Sequence, residues 1–157
     1  MLYLKKLGAE GLPRATPKRI YVVDDERTIA DTLAVILRHA GYEASVFYDA
    51  QSALQEADSR TPDLVISDVV MPGMSGVDMA VLIRERHPAC KVLLFSGQAD
   101  TVNVLETARS QGYDFELLAK PVHPTDLLAR IATVEPEAKA GRMSVNRPLT
   151  PQPGGTA

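Results

Sequence analysis

The chain has 157 residues, with 45% hydrophobic and 24% charged, which suits one globular, water-soluble domain plus short extensions. A formal net charge of -3 leaves no basic footprint for nucleic acid, and no apolar run approaches membrane-span length. The single cysteine, Cys90, excludes an internal disulfide and fits a reducing compartment. No apolar h-region follows the lysines near Met1, so no signal peptide is expected, and a cytoplasmic location follows by default.

Residues 1–17 hold Gly8, Gly11, Pro13 and Pro17 without a sustained period and read as a flexible extension. Arg19 to Val23 is a β-rich apolar run and the first strand, ending at Asp24-Asp25-Glu26. Ile29, Leu33, Ile36 and Leu37 then recur at helical spacing, and Gly41 stops that helix. Glu43 to Tyr48 reads as the second strand. Asp49 is placed to cap a helix carrying Ala53, Leu54 and Ala57, which Thr61-Pro62 ends. Leu64-Val65-Ile66 is apolar on both faces, as an interior parallel strand is, and it ends at Asp68 before Pro72-Gly73 turns the chain. A helix after Gly76 ends at His87-Pro88, and Lys91 to Phe95 is the fourth strand, ending at Ser96-Gly97. A helix from about Asp100 to Ser110 closes at Gly112, Phe115 to Ala119 is the fifth strand, and Lys120-Pro121 follows. Pro124 opens the last helix, with Asp126 in its first turn and Leu127, Ile131 and Val134 on one face. From Glu135 the composition turns Pro- and Gly-rich, so 135–157 reads as a disordered tail.

Strand and helix alternate five times between residues 18 and 134, which implies a parallel sheet with helices on both faces. Right-handed crossovers place the carboxyl end of every strand on one edge. Asp24, Asp25, Glu26, Asp68, Ser96 and Lys120 therefore converge there. Each has a plainer role on its own: Asp24 or Asp25 as the first helix's cap, Asp68 or Ser96 as a turn residue, Lys120 as a solvated surface group. Together they are rare in an arbitrary α/β domain. Clustered carboxylates repel one another and call for a cation, and an oxygen-only set suits Mg2+. His39, His87 and His123 fall on separate elements and read as structural or surface residues, so no zinc site is expected.

The ordered set Val22-Val23-Asp24-Asp25-Glu26, Asp68-Val69-Val70-Met71-Pro72-Gly73-Met74-Ser75-Gly76, Ser96-Gly97 and Lys120-Pro121 resembles the receiver domain of two-component response regulators. The resemblance implies a flavodoxin-like five-stranded parallel sheet in the order 2-1-3-4-5 with five helices on both faces. It implies Asp68 as phosphoacceptor and Asp25, Asp68 and the carbonyl of Val70 as Mg2+ ligands, with Asp24 acting through a metal-bound water. Lys120 would pair with a phosphoryl oxygen, and a cis peptide before Pro121 would fix its direction. Ser96 would move to bind the phosphoryl group. Met71-Pro72 and Gly76 would shape the loop beside the site, with Val70 and Gln98 flanking it, while Glu26 is a first-turn acid favoured by the helix dipole.

The implied partners are a sensor histidine kinase or histidine phosphotransfer protein as donor and a downstream protein target. No nucleic-acid or membrane partner is expected, and the chain would be a monomer or weak homodimer. There is no nucleotide-binding loop or kinase signature, so the expected chemistry is only self-phosphotransfer and autodephosphorylation at Asp68. A Mg2+-dependent phosphatase with an aspartate nucleophile usually carries a second acid two residues on, where this chain has Val70. A phosphorylation-independent scaffold would have lost the acid pair, the acceptor or the lysine. In two respects the chain departs from the family pattern. The aromatic usual three residues before the lysine is replaced by Leu117, with Phe115 on the same strand face as its alternative, as either switch aromatic or core residue. The stretch from Gly112 to Lys120 is slightly long, which allows a bulge. About 23 residues follow Val134, too few for an output domain, so a stand-alone receiver is expected.

Overall fold

The structure is a computed structural model that describes residues 19–97 and 101–134. The expected extension over 1–17, the tail over 135–157, and Gln98 and Asp100 lie outside the described residues. Of the described residues, 19–128 fall in one compact unit, and 129–134, the end of the last helix, fall outside it.

The elements alternate as β1 (Arg19–Val23), α1 (Arg27–His39), β2 (Glu43–Phe47), α2 (Ala50–Ser59), β3 (Leu64–Asp68), α3 (Gly76–Arg86), β4 (Lys91–Ser96), α4 (Thr101–Ser110), β5 (Glu116–Ala119) and α5 (Pro124–Val134). All five strands are parallel, in the order β2-β1-β3-β4-β5. This is the expected flavodoxin-like topology. β3 sits at its centre and every one of its residues is buried. An unbroken apolar strand is tolerated only where both faces are covered.

The pleat separates two cores. Tyr21, Val23, Val65 and Leu94 face one way, against Ala53, Leu54 and Ala57 of α2, Val77, Ala80 and Ile83 of α3, and Leu105 and Ala108 of α4. The alternate residues Ile20, Val22, Ile66, Leu93 and Phe95 are buried on the opposite face, with Ala30, Leu33, Ala34 and Leu37 of α1.

Local chemistry ends the helices where the sequence says it should. Gly41 takes a φ of 101°, its N–H donates to Arg38 at 3.0 Å, and the Tyr42 N–H reaches back to Leu37 at 3.0 Å. Gly112 repeats this motif with a φ of 96°, as Tyr113 donates to Ala108 at 2.9 Å. A left-handed residue here satisfies carbonyls the helix would leave orphaned. The Asp49 side chain accepts from the Ser52 N–H at 2.7 Å, as expected of a cap, and Ser75 caps α3 by accepting from Asp78 at 3.0 Å.

Two local expectations need correction. Neither Asp24 nor Asp25 caps α1; the N-cap residue is Glu26, which makes no side-chain capping bond. The Asp24 side chain is turned toward the sheet edge instead. No bulge interrupts β5, since Leu93 to Ser96 pair in unbroken sequence with Glu116 to Ala119. Residues 113–115 form a loop before it, so Phe115 precedes the strand. There Arg109 Nε donates to Asp114 at 3.3 Å.

Candidate functional site

Four strand ends build the site. β1 delivers Asp24 and Asp25, β3 ends on Asp68, β4 ends on Ser96, and Lys120 follows β5. Parallel pairing puts these ends side by side: Asp68 lies opposite Phe95, and Ser96 opposite Ala119. The Lys120 N–H donates to the Ser96 carbonyl at 3.0 Å, which extends the β4–β5 ladder one residue into the site. The Lys120–Pro121 peptide is cis.

Lys120 Nζ stands 3.4 Å from Asp68 Oδ2 and 3.5 Å from Asp24 Oδ2. Asp24 is fully buried, Asp68 nearly so, and Asp25 is exposed. Asp24 Oδ1 accepts from the Glu26 N–H at 2.9 Å, so its two oxygens face a backbone donor and an ammonium. One carboxylate oxygen of each of Asp24, Asp25 and Asp68 lies within 4.8 Å of the others. The donors are all hard oxygens, and one acid stays open to solvent. That set fits a divalent cation of the Mg2+ or Ca2+ kind.

Burial pushes both buried acids above the ordinary carboxylate range. At Asp68 the Lys120 ammonium opposes this most strongly, and the Asp25 charge adds to it. At Asp24 the Glu26 amide is the main opposing influence, the Asp68 charge adds to the rise, and Lys120 lowers it further. One ammonium therefore does not fully offset two buried carboxylates, which leaves the cluster with an appetite for more positive charge.

The cluster opens to solvent through a cleft of about 490 Å³ lined by Asp25, Glu26, Asp68, Val70, Gly97 and Lys120. Val70 thus flanks the acceptor, as expected, and Glu26, read from the sequence only as an acid at the helix start, lines the same cleft. Val70 is about half exposed, and Ser96 is buried at the cleft's strand end. Phe115 lies elsewhere. It is buried in the core shared with α3 and α4, stacked 6.2 Å from Tyr113 and with the Arg84 guanidinium 5.1 Å above its ring.

Two features were not legible beforehand. The Gly76 backbone passes so close beneath Asp68 that a Cβ would stand 2.0 Å from the Asp68 carbonyl oxygen. The Gly76 N–H donates to Val69 at 2.8 Å, which pins the loop after the acceptor. The second is the Phe95 ring beneath the Lys120 ammonium, 5.0 Å away. The resemblance gave Gly76 a part in shaping the loop but not this close approach, and in the sequence Phe95 is only a strand phenylalanine.

A doubly wound parallel domain that gathers three acids and a lysine at the carboxyl edge of its sheet belongs to the class whose ligand sites lie at that edge, here with a donor set that could hold a metal ion. Comparison with known proteins narrows this. The response regulator receiver domain profile matches residues 20–132. A receiver domain protein from Clostridium thermocellum is 30% identical with a TM-score of 0.70, covering 78% of this chain and 98% of its own. The response regulator TrrA from Thermotoga maritima, solved in complex with Mg2+-BeF, is 31% identical with a TM-score of 0.65, covering 74% of this chain and 97% of its own. The DNA-binding response regulator MtrA of Mycobacterium tuberculosis is 33% identical over 114 residues, 73% of this chain and 49% of that protein. The chain therefore belongs to the response regulator receiver domain family and is a receiver domain of two-component signalling. It spans about half the length of the curated relatives it matches. Among the described residues, no helix is long and apolar enough to cross a membrane.

Proposed function

We propose that the chain accepts a phosphoryl group on Asp68 from a phosphohistidine of a sensor histidine kinase or histidine phosphotransfer protein, in a Mg2+-dependent reaction. The resulting change of conformation would be read by a downstream protein. The observation that carries this reading is the placement of Asp68: a buried carboxylate 3.4 Å from an ammonium, beside two further acids, at the mouth of an open cleft.

A carboxylate oxygen of Asp68 forms the new bond to phosphorus as the bond to the histidine nitrogen breaks, and that nitrogen keeps the electron pair. Asp24, Asp25, Asp68 and the carbonyl of Val70 would hold the ion. Bound there, Mg2+ offsets charge on the transferring group and aligns it. Lys120 already contacts Asp68 Oδ2, so a phosphoryl oxygen arriving on that carboxylate meets the ammonium with little movement of the side chain. The Mg2+-BeF complex of TrrA, a relative of 31% identity, supports the same chemistry here.

Phosphorylation adds a charge of about -1.5 to -2 at neutral pH. Turning a switch from mostly off to mostly on takes roughly 5.5 kcal/mol of differential binding. A charge-assisted bond to Lys120 and a hydroxyl bond from Ser96 in a desolvated site supply much of that. Ser96 and Lys120 are joined through the backbone, so a shift of one is felt by the other. The chemistry is confined to self-phosphotransfer and autodephosphorylation at Asp68. A cytoplasmic location belongs to the same reading, supported by the lone free cysteine, Cys90, which fits a reducing compartment.

The test is incubation with phosphoramidate and Mg2+, followed by intact mass measurement. The expected result is one phosphoryl adduct per chain, absent in Asp68→Asn and absent when the metal is chelated. An adduct on Asp68→Asn at the same stoichiometry would overturn the assignment.

A further inference from the structure

Lys120 forms a partition between two cavities of opposite character. On one side lies the acidic cleft with Asp25 and Asp68. On the other is an apolar cavity of about 340 Å³, lined by Ile29, Leu33, Ile36, Phe95 and Pro121 among others. Phe95 is buried, pairs with Asp68 across β3–β4 and with Leu118 across β4–β5, and presents its ring 5.0 Å from Lys120 Nζ.

We propose that Phe95 is a positioning residue for phosphoryl transfer: its ring face holds the Lys120 ammonium over Asp68 and Asp24. The inference rests on the reading of Lys120 as the group that meets the phosphoryl oxygen. A lysine carries its charge on a flexible four-carbon stem. Beside an apolar cavity of this size, that stem has room to fold away from the acids. An aromatic face attracts a cation through its quadrupole, most strongly where water is excluded. An aliphatic residue in the same place would fill the strand but offer no such attraction. The Phe95 backbone is itself fixed, since its carbonyl accepts from the Val69 N–H at 3.2 Å, beside the acceptor. The ring, the ammonium and the two carboxylates are thus held in register by four adjacent strands, β1, β3, β4 and β5.

The experiment compares the full chain with Phe95→Leu and Phe95→Tyr. Phosphorylation by phosphoramidate at saturating Mg2+ is timed, and the Lys120 side-chain CεH2 signals are followed by NMR. Phe95→Leu is expected to slow the transfer about fivefold to tenfold, because the reactive geometry loosens. Its Lys120 signals lose the ring-current shift, while Mg2+ affinity stays within about twofold because the acids are untouched. Phe95→Tyr keeps the ring and restores both rate and shift. A wild-type rate and unmoved Lys120 signals in Phe95→Leu would overturn the proposal. So would equal slowing in both variants, which assigns Phe95 to packing alone. If the wild-type chain takes no phosphoryl group at all, the function proposed above fails. The NMR comparison then still decides whether Phe95 holds Lys120.

Discussion

Gly76 and Asp68 meet backbone to backbone: a Cβ on Gly76 would stand 2.0 Å from the Asp68 carbonyl oxygen and 2.9 Å from its carbonyl carbon. Neither atom is the end of a flexible side chain, so a methyl group forces β3 and the start of α3 apart. Gly76→Ala is expected to destabilise the domain by about 2 kcal/mol or more, as overpacking does. It should also lower the phosphorylation rate by displacing Asp68. Urea denaturation with an unchanged midpoint would refute the close approach.

Asp24 has no exposed surface, and burial holds its carboxyl above the ordinary range. The folded chain therefore binds that proton more tightly than the unfolded chain. Below the unfolded pKa, near 4, the two states carry the proton equally. As pH rises through the folded value, the unfolded state has already released its proton and folding loses stability. Asp24→Asn removes this loss. With metal chelated, the variant is expected to melt higher than wild type at pH 7, with the difference shrinking toward about pH 3. Mg2+ should raise the wild-type midpoint more than that of the variant, because binding stabilises only the state that holds the ion. Equal melting at neutral pH would show that Lys120 and the Glu26 amide already neutralise the cost.

Cys90 sits at the foot of β4, buried, with its thiol pushed up to about 12 by burial first and by the Asp63 charge second. The thiolate is the reactive form. A thiol reagent at about pH 8 should leave the folded protein unmodified for as long as the chain unfolded in urea takes to react completely. Above about pH 8.5 the unfolded chain ionises first, so stability should fall with rising pH over that range. Rapid labelling of the native chain would contradict the burial.

Phe115 is packed against Tyr113 and beneath Arg84, in the core with α3 and α4. Phe115→Ala is expected to cost about 3–5 kcal/mol of stability. If Phe115 also acts as the switch aromatic, Phe115→Leu would keep the phosphoryl transfer rate but lose the beryllofluoride-induced changes at Ser96. Retention of those changes would assign it to the core alone.

The order and type of the elements could be read from the sequence because each rests on neighbours in the chain. Gly41 and Gly112 end helices through left-handed backbone, and Asp49 caps α2 through a bond three residues away. The convergence of Asp24, Asp68, Ser96 and Lys120 was equally legible, since parallel crossovers leave every strand end on one edge. What the sequence could not determine is where side chains separated by tens of residues point once packed. For Asp24 the sequence offered a helix cap as the plainer role beside that of a site acid, and the folded sheet buries it beside Lys120. Gly76 became obligatory only when α3 was set against the Asp68 carbonyl. Phe95 read as one more apolar residue of a buried strand, and only packing brought its ring beneath the Lys120 ammonium. Hydrophobic periodicity specifies which face of an element is buried, and local hydrogen bonds specify where it ends. Contact between charges, rings and backbones far apart in the chain is decided by the register and packing of the sheet.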